Sequence, residues 1–223
     1  TISILQRGFY LNGYIITLSP NGYLKETPGN LLYGTLGFIT ITRNVGTPSG
    51  LNVGGLGAVL TSLDDLGSTE VRRGHTVQTG LDGMTSIKRY YDISPANNTD
   101  LHAGLVFNYD DSELNGKDEA TLKLFKSTDM GSTWQFKGGE VDTASSDITI
   151  AGLNSYSRWS ATSSQLAETF SVIMQGFYNT GTDNLNMTDT VRVYLRNSAS
   201  PYALVDSAIV TIDSLSFNAD VQF

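Results

Sequence analysis

Cysteine is absent from this sequence, which removes disulfide frameworks, thiolate nucleophiles and Cys-ligated metals at once. Histidine occurs only at His75 and His102, too few for a zinc site without a carboxylate cluster at metal spacing. Each reads as a turn or surface residue, and no Gly-x-Ser-x-Gly elbow accompanies them to support a serine-hydrolase triad. Basic residues are scarce, 14 Lys and Arg against 22 Asp and Glu, and the net charge is −8. With no basic run, nucleic acid and membrane insertion are not the expected partners. No apolar stretch approaches the roughly 18 residues that a spanning helix needs. No leader pattern precedes the first β-like residues and no Met stands at position 1, so a processed or trimmed product is expected.

What is present points to strands. Apolar residues make up 39% of the 223, enough for a core, and 23 glycines punctuate short alternating runs. Residues 1–5, 34–43 and 190–195 alternate in this way, and Val191, Val193 and Leu195 fall on one face. Asn12-Gly13 is the strongest local hairpin signal. The expected class is all-β, with antiparallel β-sandwich modules of Ig-like or jelly-roll-like type and little or no helix. For residues 1–85 a sandwich and a coil of stacked β-turns are both compatible with the pattern. Three regions are expected: 1–85, which can be continuous with the next; 86–163, a central sandwich; and 164–223, a smaller module. The joint is drawn at Ser163-Ser164-Gln165.

Residues 107–134 read as strand, turn, strand, turn, strand. Leu122 and Leu124 share one face, Lys123 and Lys126 lie outside the core, and Trp134 is a buried-type aromatic. Ser127, Asp129, Gly131, Thr133 and Trp134 match the Asp-box pattern Ser-x-Asp-x-Gly-x-Thr-Trp. Its chemistry is that of a hairpin turn: Asp129 accepts from donors across the turn, Gly131 takes positive φ and Trp134 packs below. The box is familiar from sialidase-like propellers, where it recurs and lies away from the active site. Here it occurs once and no arginine triad accompanies it, so a structural turn is the stronger reading. Asp110, Asp111, Glu113, Asn115 and Asp118 place oxygen ligands around Gly116 like the first half of a calcium loop. The EF-hand position for the closing Glu is Leu122, which leaves a non-EF Ca2+ site or a solvated hairpin loop. Ca2+ is the sole cofactor these residues bring to mind.

The glycine-dense stretch 46–57 lacks the Lys-Ser/Thr of a phosphate cradle, since Ala58-Val59 follows, so close backbone approach is expected there. No pair among the 22 carboxylates is picked out by spacing as the two acids of a glycosidase. Tyr90, Tyr91, Trp134, Tyr156 and Trp159 would suit a sugar platform, although aromatics in sandwich strands more often fill the core.

Several segments carry a resemblance. These are residues 12–18 (NGYIITL), 26–30 (ETPGN), 52–58 (NVGGLGA), Arg73-Gly74-His75, 88–93 (KRYYDI), 109–116 (YDDSELNG), the Asp-box and Ser157-Arg158-Trp159. Together they resemble a β-sandwich module of large secreted surface proteins of Bacteroidetes/Chlorobi-type bacteria, cargo of the type nine secretion route. Residues 176–217 resemble a second module that often follows it. The resemblance implies an extracellular or cell-surface location and supplies no catalytic residues.

The expected function is therefore that of a non-enzymatic extracellular structural or adhesive protein, a filament subunit joined head to tail. Ile2, Ile4 and Leu5 form the expected assembly strand, a β-former that would complete the C-terminal module of the next copy, since that module stops one strand short of its usual pattern. The partners implied are further copies of the chain or neighbouring modules. The alternative is a carbohydrate-binding accessory module of a larger secreted protein, with a polysaccharide as partner.

Overall fold

Short alternating runs cut by glycine turns give strands and almost nothing else. The computed structural model describes residues 1–163, 167–173, 176–196 and 200–222, and among them the only helical turns are three-residue ones at Val53–Gly55, Asp111–Glu113 and Glu119–Thr121. The all-β class is thus observed. The chain divides into two compact units, Thr1–Ser164 and Gln165–Phe223. Ser164 and Gln165 of the expected joint lie outside the described residues.

The first 44 residues form a coil of two stacked turns. The strands β1 (Ile2–Ile4), β2 (Phe9–Tyr10) and β3 (Ile15–Leu18) make the first turn, and β4 (Leu24–Glu26), β5 (Leu32–Tyr33) and β6 (Phe38–Asn44) the second. Each strand of the first turn pairs parallel with its counterpart in the second. Ile2 lies opposite Leu24, an offset of 22 residues, and Phe9 opposite Leu32 and Ile15 opposite Phe38, offsets of 23. The Asn12-Gly13 turn forms as its chemistry demands, with φ of 48° and 82°. Tyr14 N–H donates to Leu11 O at 2.9 Å across it. It is nevertheless a corner of the coil and not a hairpin, because β2 and β3 pair with β5 and β6 and not with each other. Stacking the turns in parallel aligns Leu11, Leu18, Leu24, Leu32 and Ile39 in one dry interior.

The chain then continues antiparallel. It runs through β7 (Leu51–Asn52), β8 (Ala58–Ser62), β9 (Ser68–Gly74), β10 (Thr79–Leu81), β11 (Met84–Thr85) and β12 (Tyr90–Pro95). After these come β13 (Ala103–Asn108), β14 (Leu122–Ser127), β15 (Gln135–Gly138), β16 (Glu140–Asp142), β17 (Asp147–Leu153) and β18 (Arg158–Ser163). A seven-stranded sheet runs β15-β14-β18-β12-β9-β6-β3 and a five-stranded sheet β16-β17-β13-β8-β7. Because β9 and β12 are neighbours in one sheet, residues 1–85 and 86–163 are a single unit.

The two sheets enclose the core. Ile39, Val71, Tyr91, Ile93 and Trp159 come from one, and Ala58, Leu60, Leu105, Phe107 and Ile148 from the other. Tyr91 and Phe107 meet edge to face with ring centroids 4.8 Å apart. Each such side chain contributes roughly 1.5–3 kcal/mol by burial. Tyr90, Tyr91, Tyr156 and Trp159 are all buried here, so they form core and no sugar platform. The glycine-rich stretch serves close approach: a Cβ on Gly55 would stand 2.2 Å from Leu24 O.

Lys126 departs from expectation. It is only 9% exposed, because alternation along β14 sets it on the face of Leu122 and Leu124, opposite the core residue Trp159 of β18. Its ammonium donates to Ser155 O at 2.6 Å and Ser155 Oγ at 2.7 Å and lies 5.7 Å from the Trp159 ring centre.

The second unit has β19 (Ala167–Ser171) paired with β24 (Asn218–Gln222), β20 (Tyr178–Asn179) with β21 (Asn184–Leu185), and β22 (Asp189–Arg196) with β23 (Leu204–Ile212), all antiparallel. Val191, Val193 and Leu195 are half-buried on one face while Arg192, Tyr194 and Arg196 are exposed on the other. Its core of Leu185, Ile212 and Ala219, with Phe170, Val172 and Phe217 against them, is small, as a unit of this size allows.

Candidate functional site

The sequence-predicted residues take up four tasks. The first is ionic and internal. Glu26, on β4, accepts two bonds from the Arg73 guanidinium at 2.7 Å each and one from Leu32 N–H at 2.6 Å. Glu113 pairs with Arg89 Nε at 2.7 Å and accepts from His75 Nδ1 at 2.9 Å. Arg89 also donates to Asn108 O at 3.1 Å, which the Tyr91 hydroxyl reaches at 2.8 Å. Arg73, His75, Arg89 and Glu113 are each 4% exposed or less, so His75, expected as a turn or surface residue, lies in the connection after β9 but is buried there. Burial works against the Glu113 carboxylate, but Arg89 and His75 outweigh it and hold its pKa near 2. For His75 burial wins over Glu113 and lowers its pKa to about 4, leaving the ring neutral near pH 7. Burial likewise opposes the Glu26 carboxylate, yet the bonds from Arg73 bring its pKa below the ordinary value. Two carboxylates facing two guanidiniums balance, and removing any one partner strands a buried charge.

The five residues of the calcium reading are set to separate work. Asp110 caps the Asp111–Glu113 turn: Oδ1 accepts from Ser112 N–H at 3.0 Å and Oδ2 from Gly29 N–H at 3.0 Å. Asp111 accepts from Ser146 Oγ at 3.0 Å, Asn115 donates to Ser86 O at 3.0 Å, and Asp118 caps the Glu119–Thr121 turn. Glu113 turns inward to Arg89 and His75, and among the described residues no three His, Asp or Glu side chains converge on one point that a metal ion could occupy.

The Asp-box residues build the turn their pattern describes. Asp129 Oδ1 accepts from Ser127 Oγ at 2.7 Å and Thr133 N–H at 2.8 Å, and Oδ2 from Thr133 Oγ1 at 2.6 Å. Gly131 has φ of 96° and donates to Ser127 Oγ at 2.8 Å. The bonds from Thr133 and Ser127 hold the Asp129 pKa near 2. Arg158 ties the turn to the sheet: it bonds Met130 O at 2.6 Å and grips Asp92 at 2.6 and 2.8 Å. Trp134 is half-buried and not core; Trp159 holds that place.

The fourth task belongs to the first coil turn. Ile2, Ile4 and Leu5 are not a free strand: Ile2 and Ile4 pair with β4, Ile4 is buried, and Leu5 is 52% exposed. Among the described residues β1, β2 and β3 each pair on one side only, so their outer edges form one open rung. Such edges are normally blunted by charge, proline or brevity. The other edges of the two large sheets are: β15 carries Lys137, β16 reads Glu-Val-Asp, and β7 has two residues. Residues 1–18 hold a single charge, Arg7, and no proline. They expose Phe9 (53%), Tyr14 (72%) and Ile15 (57%) to water.

Beside the rung lies a cleft of about 790 Å³ lined by Tyr10, Leu31, Tyr33, Thr35, His75, Lys88 and Glu113 among others. The Tyr10 and Tyr33 rings stand 5.4 Å apart, tilted by 45°. Sequence reasoning passed over both the rung and the cleft. The available signal was the echo of Tyr10 and Ile15-Ile16-Thr17-Leu18 in Tyr33 and Phe38-Ile39-Thr40-Ile41, 23 residues on. No protein-family model matches this chain, no curated protein matches its sequence, and no solved structure matches its fold.

Proposed function

We propose that the chain is a non-enzymatic structural subunit of an extracellular assembly, joined to neighbouring copies through the open rung of its coil. The observation that carries this reading is the unprotected edge of β1, β2 and β3. At β3 it is, among the described residues, the one margin of the two large sheets with neither charge on its terminal strand nor a two-residue length, and along β1 to β3 it exposes apolar side chains beside unpaired backbone groups. The occupant is a strand from a second copy. The second unit offers candidates in β22 and β23, each paired on one side only among the described residues. An edge of one unit laid on the rung of another copy is a heterologous contact, and such contacts propagate into filaments when the rotation does not close.

The rung thus receives a strand, where the sequence led us to expect residues 1–5 to be given away. Support comes from the cysteine-free, β-rich and acidic composition, and from the resemblance to secreted surface modules. The test is the double variant Ile15→Lys, Thr17→Lys. Both positions are exposed on β3, so the fold should survive while the edge becomes charged. Loss of concentration-dependent light scattering and of filaments by negative stain is expected. Assembly equal to that of the unmodified protein would refute the reading.

A further inference from the structure

Apart from Tyr10, which stands on β2 of the rung, the cleft is built from features that assembly does not use. Tyr10 and Tyr33 line it and are 48% and 47% exposed. A tilted aromatic pair held half in water is a stacking surface without an occupant from its own chain. The polar groups around it are equally unused: among the described residues the Lys88 ammonium makes no ion pair, and the hydroxyls of Tyr10, Tyr33 and Thr35 make no hydrogen bond. By contrast, the Thr76 hydroxyl is already committed to Thr35 O at 2.6 Å. The one carboxylate of the lining, Glu113, is neutralised from behind by Arg89 at 2.7 Å. In a protein of net charge −8, the uncompensated charge of this cleft is therefore the positive one of Lys88. The floor is stiff, because His75 and Glu113 are locked together at 2.9 Å and both are buried.

We propose that this cleft binds an acidic saccharide, one ring of which stacks on Tyr10 and Tyr33 while its carboxylate meets Lys88. A pyranose presents an apolar C–H face to an aromatic ring and hydroxyls at its rim, and the tyrosine and threonine hydroxyls can give to or accept from these. Nucleotides fit poorly, since a single ammonium has no partner with which to hold two or three phosphates. A neutral sugar would use the rings and leave Lys88 idle. The site is separate from the β3 edge, so it can be tested in the non-assembling Ile15→Lys, Thr17→Lys protein, and each idea can fail without the other.

The probes are trimeric uronates (galacturonate, glucuronate and mannuronate) against maltotriose and cellotriose, by titration calorimetry at low salt. At least one uronate is expected to bind tighter than both neutral trimers. Lys88→Gln should erase that preference, a change of about threefold to tenfold. Tyr33→Ala should weaken every saccharide by about tenfold. Because Tyr33 lies against Gly8 and its loss can disturb the coil, Tyr10→Leu serves as a second variant, with circular dichroism to confirm folding. Tyr194→Ala, on an exposed strand of the other unit, should change nothing. The proposal is overturned if no uronate binds, if neutral and acidic trimers bind alike, or if folded Lys88→Gln keeps the preference.

Discussion

The ionic cluster and the open rung invert one another. Around Glu113 the chain gathers two carboxylates and two guanidiniums, all buried but the partly exposed Glu26; along β1 to β3 it places isoleucine and aromatic rings in water. Both arrangements are costly in isolation. The opposite charges are paired within the chain, at short distances between residues 26, 73, 89 and 113, although the buried Arg89 Nη2 has no hydrogen-bond partner there. The exposed apolar edge finds no partner among the described residues. Internal satisfaction marks the first as structure. Lack of it marks the second as the place to look for a contact with another molecule.

The sharpest way to break this contrast is to unbalance the cluster. Arg89→Met leaves Glu113 buried beside a neutral histidine and should cost about 3–5 kcal/mol in urea unfolding. A loss below about 1 kcal/mol would show that the cluster is not the internal anchor described. Ile15→Lys, Thr17→Lys should by comparison cost within about 0.5 kcal/mol, typical of exposed positions, while abolishing assembly.

A pH series separates the two regions next. His75 has a pKa near 4 in the fold against 6.5 when free, so between these values the unfolded chain binds a proton that the folded chain refuses. Stability from this residue is complete above pH 6.5 and is lost as pH falls from 6.5 toward 4. Glu113, near 2 in the fold against 4.5, adds a second decline as pH falls from 4.5 toward 2. His75→Gln should flatten the first window and leave the second. An unchanged profile would mean that His75 is not buried neutral.

The smallest effect expected is that of salt. An edge whose strands carry only Arg7 nearby has little charge to screen, whereas the net −8 of each copy opposes association. Raising salt from about 0.05 M to about 0.5 M should therefore preserve or strengthen assembly. Dissolution by salt would point to an ion-paired contact elsewhere.

Particular residues show where sequence reading reached and where it stopped. The Asp-box turn was legible down to its bonds, because Asp129, Gly131 and Thr133 act on each other within five positions. The one-sided pattern of Val191, Val193 and Leu195 was legible because strand periodicity is local. Glu113 was not: in sequence it is one acid among several in a polar loop, and only Arg89 and His75, brought from other segments, make its inward turn favourable. Lys126 was misplaced against its own periodicity, since alternation sets it on the face of Leu122 and Leu124, and only the lone Ser155 acceptors and the Trp159 ring make a lysine acceptable there.

The composition, the turns and the alternation of this chain determined by themselves that it is all-β and where many strands begin and end, because these depend on φ preferences and neighbours a few residues apart. Tertiary structure alone decided that β2 and β3 ignore the Asn12-Gly13 hairpin signal and stack in parallel on β5 and β6, that four charges are balanced in the core, and that one rung is left open. Those outcomes turn on which distant segment offers a strand its hydrogen bonds and each side chain its cover. That is a property of the whole packed arrangement and not of any window of sequence.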